Sequence, residues 1–368
     1  MRIGIIGAGQ LGQMLGQAAH DLGHECFFLD PSPSPPASTI GPVLQASFGD
    51  RVALAMLAEK CDVLTYEFEN VPVDALNDIA DLVPIYPPPE ALRHAQDRLA
   101  EKRLFESINI PIPQYRAIDS ASDLTAATES IGLPLVVKTR HLGYDGKGQF
   151  VLQDSGQIDN AWRELGASAL IAEQWVAFDF EVSAIGVRSA DGDIATYCLT
   201  QNEHAGGILR VSLAPVDDVA LAEQAEQYMH KLLTHLNYVG VLALELFVAD
   251  GRLLANEFAP RVHNSGHWTI EGAATSQFTN HLLAITNEPP GSTENLGHAG
   301  MVNLIGEIPD LARDLPQGCF YDYGKPARPG RKLGHITLVT DSAADRDALI
   351  SGIRKSVTGS TSTRGTDA

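Results

Sequence analysis

Two acidic residues stand inside apolar runs, Glu245 in Leu242-Ala243-Leu244-Glu245-Leu246 and Glu257 in Leu253-Leu254-Ala255-Asn256-Glu257-Phe258. A carboxylate in such a run is costly unless it is paired or binds a cation. Asp250-Gly251 lies roughly midway between them and predicts a hairpin whose antiparallel pairing brings both side chains to one face. Two carboxylates with Asn256 form a hard oxygen set suited to Mg2+ that bridges the phosphates of a nucleotide. The plainer alternative is a pair of ion-paired structural acids. Directly downstream, Arg261-Val262-His263-Asn264-Ser265-Gly266-His267 carries polar side chains off the strand end, where a second substrate would meet the terminal phosphate. His263 and His267 are four apart, but a glycine-containing loop offers no helical face to hold them on a metal, and no Cys or His accompanies the acids with zinc spacing.

Two glycine-rich segments point to phosphate. The segment 139–148, Thr-Arg-His-Leu-Gly-Tyr-Asp-Gly-Lys-Gly, lies between two strand-like runs and just after Lys138, which ends the apolar LPLVVK. A loop of this kind can close over a polyphosphate and exclude water, while Lys138 presents a fixed cation to it; a solvated hairpin tip is the bland reading. Gly7-Ala8-Gly9-Gln10-Leu11-Gly12 follows a strand and opens a helix, and Asp30 ends the second strand, as in a dinucleotide fold. The physics commits only to an anion at a helix N-terminus, so NAD, another phosphate-bearing ligand and a mere tight turn all satisfy it.

The elements that must position these groups follow from hydrophobic periodicity. Apolar runs at 2–6, 26–30, 63–66 and 82–86 alternate with helical spacing at 10–22 and 51–59, which predicts a parallel, doubly wound sheet. The turn-rich PSPSPPA at 31–37 interrupts it, and Pro87-Pro88-Pro89 ends it. From 112 to 208, strand-like runs (135–138, 149–152, 170–174, 181–187, 194–199) dominate, an α+β piece of antiparallel character. A long helix over 219–236, strands at 239–248 and 253–258, a helix near 270–285, and a linker at 287–297 come next. A few strands and a last helix close the chain. The expected division is 1–90, 91–290 with a lid at about 112–178, 291–357, and a low-complexity tail at 358–368 expected to be disordered.

With 368 residues, 44% hydrophobic and 20% charged, the chain has room for two or three cored domains. A formal charge of -20 argues against sequence-independent binding to nucleic acid or anionic membrane, though local cations can still hold a phosphorylated substrate. Cys26, Cys61, Cys198 and Cys319 form no CxxC pair or disulfide framework, and the opening MRIGIIGAG has no signal-peptide core. The expectation is a protein of the reducing cytoplasm with no membrane span.

In chain order, GQLG(x)ML near the start, GYDGKGQ, EQWV, GILR, Asn256-Glu257, APRVHNSGHWT and RPGRKLGH resemble the 5-(carboxyamino)imidazole ribonucleotide synthase family of the ATP-grasp superfamily, over roughly residues 2–340. The resemblance implies an ATP-grasp fold of mixed α/β and α+β class, with an N-terminal Rossmann-like domain and a small C-terminal domain. It implies that ATP phosphorylates bicarbonate to carboxyphosphate and that the amine of aminoimidazole ribonucleotide takes up the carboxyl group. By this resemblance Arg98, Lys138 and the loop Gly143, Tyr144, Asp145, Gly146, Lys147, Gly148 and Gln149 hold the ATP phosphates. Glu173, Gln174, Trp175 and Val176 form the adenine hinge, Glu181 takes the ribose hydroxyls and His204 is a further nucleotide contact. Glu245 and Glu257 carry magnesium with Asn256 alongside. Arg261, His263 and Asn264 surround bicarbonate or carboxyphosphate, with Asp145 and Lys147 counted among the catalytic groups. Gln10 and Leu11 present N–H groups to the substrate's phosphate. Tyr144, Asp145, Lys147, Lys325, Arg331 and Lys332 complete the ribonucleotide site, joined by Glu67 or Glu69. A homodimer is implied as well. The rivals are another ATP-grasp member, such as formate-dependent glycinamide ribonucleotide transformylase or biotin carboxylase, and an NAD-linked oxidoreductase, which explains only the first thirty residues.

Overall fold

The computed structural model describes residues 1–143, 148–166 and 169–359. The N-terminal strand Arg2–Ile6 is buried from Ile3 onward and pairs in parallel with Glu25–Asp30 on one side and Val63–Tyr66 on the other. Val43–Gln45 adds the outer strand, so the order along this sheet is third, second, first, fourth. Helices Gln10–Asp21 and Arg51–Lys60 supply the crossovers. The strand expected at 82–86 shrinks to a single parallel bridge between Ile85 and Leu64. Pro84 and Pro87 flank that bridge and have no N–H to donate to a ladder.

A small antiparallel sheet, ordered Tyr115–Ile118, Leu170–Gln174, Leu135–Thr139, Gln149–Leu152, packs under helices Ala121–Ser130 and Ile158–Glu164 around Leu124, Leu135, Val137, Leu152 and Leu170. Its strand Leu135–Thr139 points Lys138 toward the body of the molecule.

The main sheet runs Arg252–Ala259, Gly240–Ala249, Phe180–Arg188, Thr200–Ala205, Ile208–Ala214, His298–Ile305, Lys332–Thr340, Cys319–Asp322, with Ile194–Thr196 paired on the side of Phe180–Arg188. The amphipathic helix Val219–His235 buries Leu221, Ala225, Met229, Leu232 and Leu233 against it. Each such side chain removed from water contributes about 1.5–3 kcal/mol before entropy is counted. The helix expected near 270–285 is two, Thr269–Gly272 and Gln277–Ile285. Ala273 is extended and bridges Asn295, and the Ser276 side chain accepts from the Thr279 N–H, so a new N-cap starts the second helix. The final helix spans Ala343–Gly359, which includes Thr358 and Gly359; the rest of the tail, 360–368, lies outside the described residues. Among the described residues no helix is long and apolar enough to cross a membrane.

Candidate active site

The hairpin around Asp250-Gly251 pairs Gly240–Ala249 with Arg252–Ala259 so that Glu245 stands directly opposite Glu257. Opposed residues of an antiparallel pair share a face, so the two carboxylates are neighbours. The ladder then slips: Leu246 pairs with Ala255, which leaves Asn256 as the extra residue of a bulge. A bulge breaks strict alternation and re-aims a side chain. Asn256 Oδ1 is buried without a hydrogen-bond partner. Two carboxylates and an unpartnered buried amide oxygen fit a hard divalent cation completed by phosphate oxygens. Among the described residues no group of three or more His, Cys, Asp or Glu is arranged to hold an ion by itself.

Each carboxylate is met by a cationic or hydrogen-bond-donating side chain. Arg98 Nη1 lies 2.7 Å from Glu257 Oε2, and Arg98 Nη2 donates to the Gly143 carbonyl at 3.1 Å. His263 Nε2 lies 3.1 Å from Glu245 Oε1. Burial works to raise the Glu245 carboxyl, but the hydrogen bond and electrostatic pull of His263, followed by the charges of His204 and Lys332, bring it below its ordinary value. Lys332, the first residue of strand Lys332–Thr340, is near enough for its charge to be felt at Glu245.

Helix Arg98–Ser107 opens on the Asp97 cap, which accepts from the Leu99 and Ala100 N–H groups. Its positions 98, 101 and 102 share one face by helical spacing. Lys102, 1% exposed, donates to the Asn256 carbonyl at 2.6 Å and sits 3.5 Å from Glu173. Glu173 also receives Lys138 at 3.0 Å. Burial alone would raise the Glu173 carboxyl; Lys102 and Lys138 overcome it and hold it at about 2. Burial lowers Lys138 despite Glu173. Buried Glu101 accepts the Phe258 N–H at 2.7 Å, and desolvation pushes its carboxyl up to about 8 in spite of Lys102. Glu101 and Lys102 escaped the sequence reading. Their signal was that Arg98, Glu101 and Lys102 fall, by helical spacing, on the side of the helix that carries the apolar Leu104 and Phe105, while Arg103 and Glu106 fall on the exposed side.

Beside this cluster Glu173 leads into a segment whose Gln174 and Trp175 side chains are exposed and whose Val176 is half-buried. Glu181 Oε2 bonds His204 Nδ1 at 2.8 Å; burial is the largest influence and disfavours the His204 cation, but this bond and the charges of Glu245 and Glu181 together outweigh it, so the ring titrates above its ordinary value. Arg261 Nη2 pairs with Glu69 at 2.7 Å. Asn264 is buried and exchanges both amide bonds with Asn303, at 3.1 and 2.7 Å, so it locks the loop to strand His298–Ile305.

The first glycine turn forms the other end of the site. Gly7 has φ 103°, and a Cβ there would come within 2.6 Å of the Glu67 side chain. That room admits Glu67, whose Oε1 accepts the Gly9 N–H at 2.6 Å. Burial raises the Glu67 carboxyl against the pull of that bond. Glu67, not Glu69, thus approaches the glycine turn. Both oxygens of Asp30 are engaged by backbone, Ala8 N–H at 2.9 Å and Ser32 N–H at 2.8 Å, so it buttresses the turn. Lys325 Nζ reaches Gln10 Oε1, across more than three hundred residues of chain. Burial lowers Lys325 to about 8; Glu67 opposes this, and Arg331, Lys332 and Arg328 add to it. Arg331 Nη1 bonds the Pro326 carbonyl at 3.3 Å within its own turn. The structure therefore brings Gln10, Glu67 and Lys325 together at one end, with Arg331 and Lys332 near enough to act on Lys325, and Arg98, Lys138, Glu173, Glu245, Asn256 and Glu257 at the other, with Lys332 between them; Leu11 is packed in the core. Tyr144, Asp145, Gly146 and Lys147 lie outside the described residues.

Three family models match the chain: a ribonucleotide synthetase preATP-grasp domain over residues 1–96, an ATP-grasp domain over 103–278, and a phosphoribosylaminoimidazole carboxylase C-terminal domain over 299–348. The N5-carboxyaminoimidazole ribonucleotide synthase of Pseudomonas aeruginosa is 47% identical over 351 residues, 95% of this chain and 96% of that one. The crystal structure of the corresponding synthetase from Thermus thermophilus superimposes with a TM-score of 0.93 at 44% identity, covering 99% of this chain and 100% of that one. A structure of the Aspergillus clavatus enzyme in complex with ADP and 5-aminoimidazole ribonucleotide gives a TM-score of 0.91 at 31% identity, covering 97% of this chain and 98% of that one.

Proposed function

This chain belongs to the N5-carboxyaminoimidazole ribonucleotide synthase family of ATP-grasp ligases, and from that premise we propose how its own residues divide the reaction. The enzyme carboxylates 5-aminoimidazole ribonucleotide with ATP and bicarbonate, a carbon–nitrogen ligation of purine biosynthesis. Bicarbonate is a resonance-stabilised anion and a poor electrophile. A bicarbonate oxygen attacks the γ-phosphorus and ADP leaves; the amine nitrogen then bonds to the carboxyl carbon, either directly as the C–O bond to phosphate breaks or after that bond has broken to release carbon dioxide. Phosphate departs with the amine proton. Little covalent chemistry falls to the protein, so positioning and charge neutralisation dominate.

The observation that carries the assignment is the opposed pair Glu245 and Glu257 with the unpartnered Asn256 oxygen between buried cations. These three hold Mg2+, which supplies neutralisation of the phosphate charge. Lys138 and Arg98 bind the polyphosphate, and Glu173 keeps Lys138 in place. The 173–176 segment lies along the adenine, with Glu181 and His204 at the ribose. Arg261 and His263 flank bicarbonate, while Asn264 braces their loop. The first turn of Gln10–Asp21, which has no side-chain cap, takes the substrate phosphate together with Lys325, Arg331 and Lys332. Tyr144, Asp145 and Lys147, which lie outside the described residues, are assigned to the ATP phosphates and the ribonucleotide by the family resemblance alone. The boundaries near 90 and 290, a homodimer and a cytoplasmic location belong to the same reading.

ADP release should require bicarbonate and Mg2+ and rise strongly on addition of aminoimidazole ribonucleotide. Equal or better turnover with formate in place of bicarbonate would overturn the assignment.

A second outcome follows from Lys325. Its positive charge is present below about pH 8 and lost above it. KM for aminoimidazole ribonucleotide is therefore expected to rise by up to about tenfold per pH unit above that value, while KM for ATP stays level. Lys325→Arg should remove the rise. A flat KM for the ribonucleotide up to about pH 9.5 in the unsubstituted enzyme would place the phosphate elsewhere.

A further inference from the structure

Behind His263 a line of buried polar side chains crosses three strands of the main sheet. Ser183, Ser212 and Ser265 are fully buried and Asn202 is 5% exposed. Ser212 Oγ donates to Asn202 Oδ1 at 2.8 Å, Asn202 Nδ2 donates to Ser183 Oγ at 3.0 Å, and Ser183 Oγ donates to Ser265 Oγ at 2.7 Å. Ser265 Oγ lies 2.9 Å from His263 Nδ1, and His263 Nε2 lies 3.1 Å from Glu245 Oε1. Asn202 is placed for this by register, opposite Ser212 on one neighbour strand and two residues along from Thr200, the partner of Ser183, on the other, so that its side chain shares a face with Ser183.

A hydroxyl has one hydrogen, so the direction of each link dictates the next. The Asn202 amide can only donate from nitrogen. Ser183 must then send its hydrogen on to Ser265, and Ser265 sends its own to His263 Nδ1. Turning the Asn202 amide over would reverse every link and put a hydrogen on Nδ1. Both nitrogens of the His263 ring oppose that reversal. The backbone N–H of Ser265 also points at Nδ1, at 3.4 Å, and a backbone N–H is always a donor. At the other end, a bare Nε2 would turn its lone pair on the Glu245 carboxylate.

We propose that Ser183, Asn202 and Ser212 are positioning residues, a one-way hydrogen-bond line that fixes the hydrogen of His263 on Nε2 and so holds the Glu245 carboxylate in place opposite Glu257. Groups behind a ligand orient it and are worth about 10–100-fold in activity. The proposal rests on the reading of Glu245 as a substrate-side carboxylate, and its first readout is independent of turnover. Nitrogen NMR of the ligand-free protein labelled with 15N-histidine, assigned with His263→Gln, is expected to show hydrogen on Nε2 and a bare Nδ1. In Asn202→Asp, read at a pH where the new carboxyl is ionised, that carboxylate can only accept, so Ser183 turns toward it, the line reverses, and the hydrogen moves to Nδ1. In Ser183→Ala the line is cut, and kcat should fall about tenfold with KM for ATP within about twofold of its starting value. Hydrogen on Nδ1 in the unsubstituted protein, an unmoved hydrogen in Asn202→Asp, or a kcat for Ser183→Ala within twofold of the original would each overturn the proposal. Failure of the family reading would appear differently, as absence of bicarbonate-dependent turnover in the unsubstituted protein with the His263 spectrum as expected.

Discussion

Replacing Glu257 by glutamine is expected to lower kcat at least about 10²-fold while the protein stays folded. The side chain is 40% exposed, and its ion pair is with Arg98 at 2.7 Å. An ion pair that open to water contributes at most about 1 kcal/mol to stability. A purely structural role for Glu257 would therefore leave kcat nearly intact and shift the melting temperature slightly. A role at the metal predicts the reverse. Glutamine keeps the shape and one oxygen but removes a full negative charge, so the charge that balances a cation between carboxylate and phosphates is gone. The missing stabilisation lies in the transition state, where phosphate charge is spread most widely, so the loss is in kcat and excess Mg2+ does not restore it. A variant with near-normal kcat at saturating Mg2+ would remove Glu257 from the metal site.

The second large effect is on stability. Glu173 is 4% exposed at its side chain, and it separates Lys102, 1% exposed, from Lys138, 13% exposed. Removing one member of a buried ionic group leaves uncompensated charge and costs about 3–5 kcal/mol. Glu173→Gln strands two ammonium groups next to an amide and should lower stability by about that amount at pH 7, read from the midpoint of urea unfolding. Lys102→Met added to it removes one of the stranded charges and is expected to restore a substantial part of the loss. The pH dependence has a definite sign. The folded-state carboxyl is held at about 2, below its ordinary value of 4.5, so its contribution is present above about pH 4.5 and disappears as pH falls toward 2. The difference between parent and variant must therefore shrink on acidification. A loss under about 1 kcal/mol at pH 7, or one equally large at about pH 3, would show that Glu173 is not the anion that the two lysines require.

Much of this protein can be read from the chain. Hydrophobic period and turn chemistry act over a few residues, so the parallel strands before residue 70, the helix Val219–His235 and the hairpin around Asp250-Gly251 were all legible. The hairpin alone was enough to place Glu245 and Glu257 on one face, because two strands joined by a tight turn can pair in few registers. The sequence blocks also pointed to the family, since residues that meet ATP, bicarbonate and a ribonucleotide are constrained in type and order.

Tertiary structure decided what depended on contacts across long stretches of chain. Lys102 meets the Asn256 carbonyl at a separation of 154 residues, and Glu101 meets the Phe258 N–H at 157, distances at which no local pattern specifies a partner. Glu67 and Glu69 look equivalent in TYEFEN. Packing separates them, because Glu67 fills the space left by Gly7 and Gly9 while Glu69 reaches Arg261. Asp30 stands where a ribose-binding acid would, and only the fold shows its two oxygens bracing the turn through backbone N–H groups. The bulge that frees Asn256 and the serine–asparagine line behind His263 arise from register between strands, which single-strand periodicity does not encode. Local sequence fixes which face of an element is apolar; which charge lies beside which in the assembled site is set by the cost of leaving any of them unpaired once water is excluded.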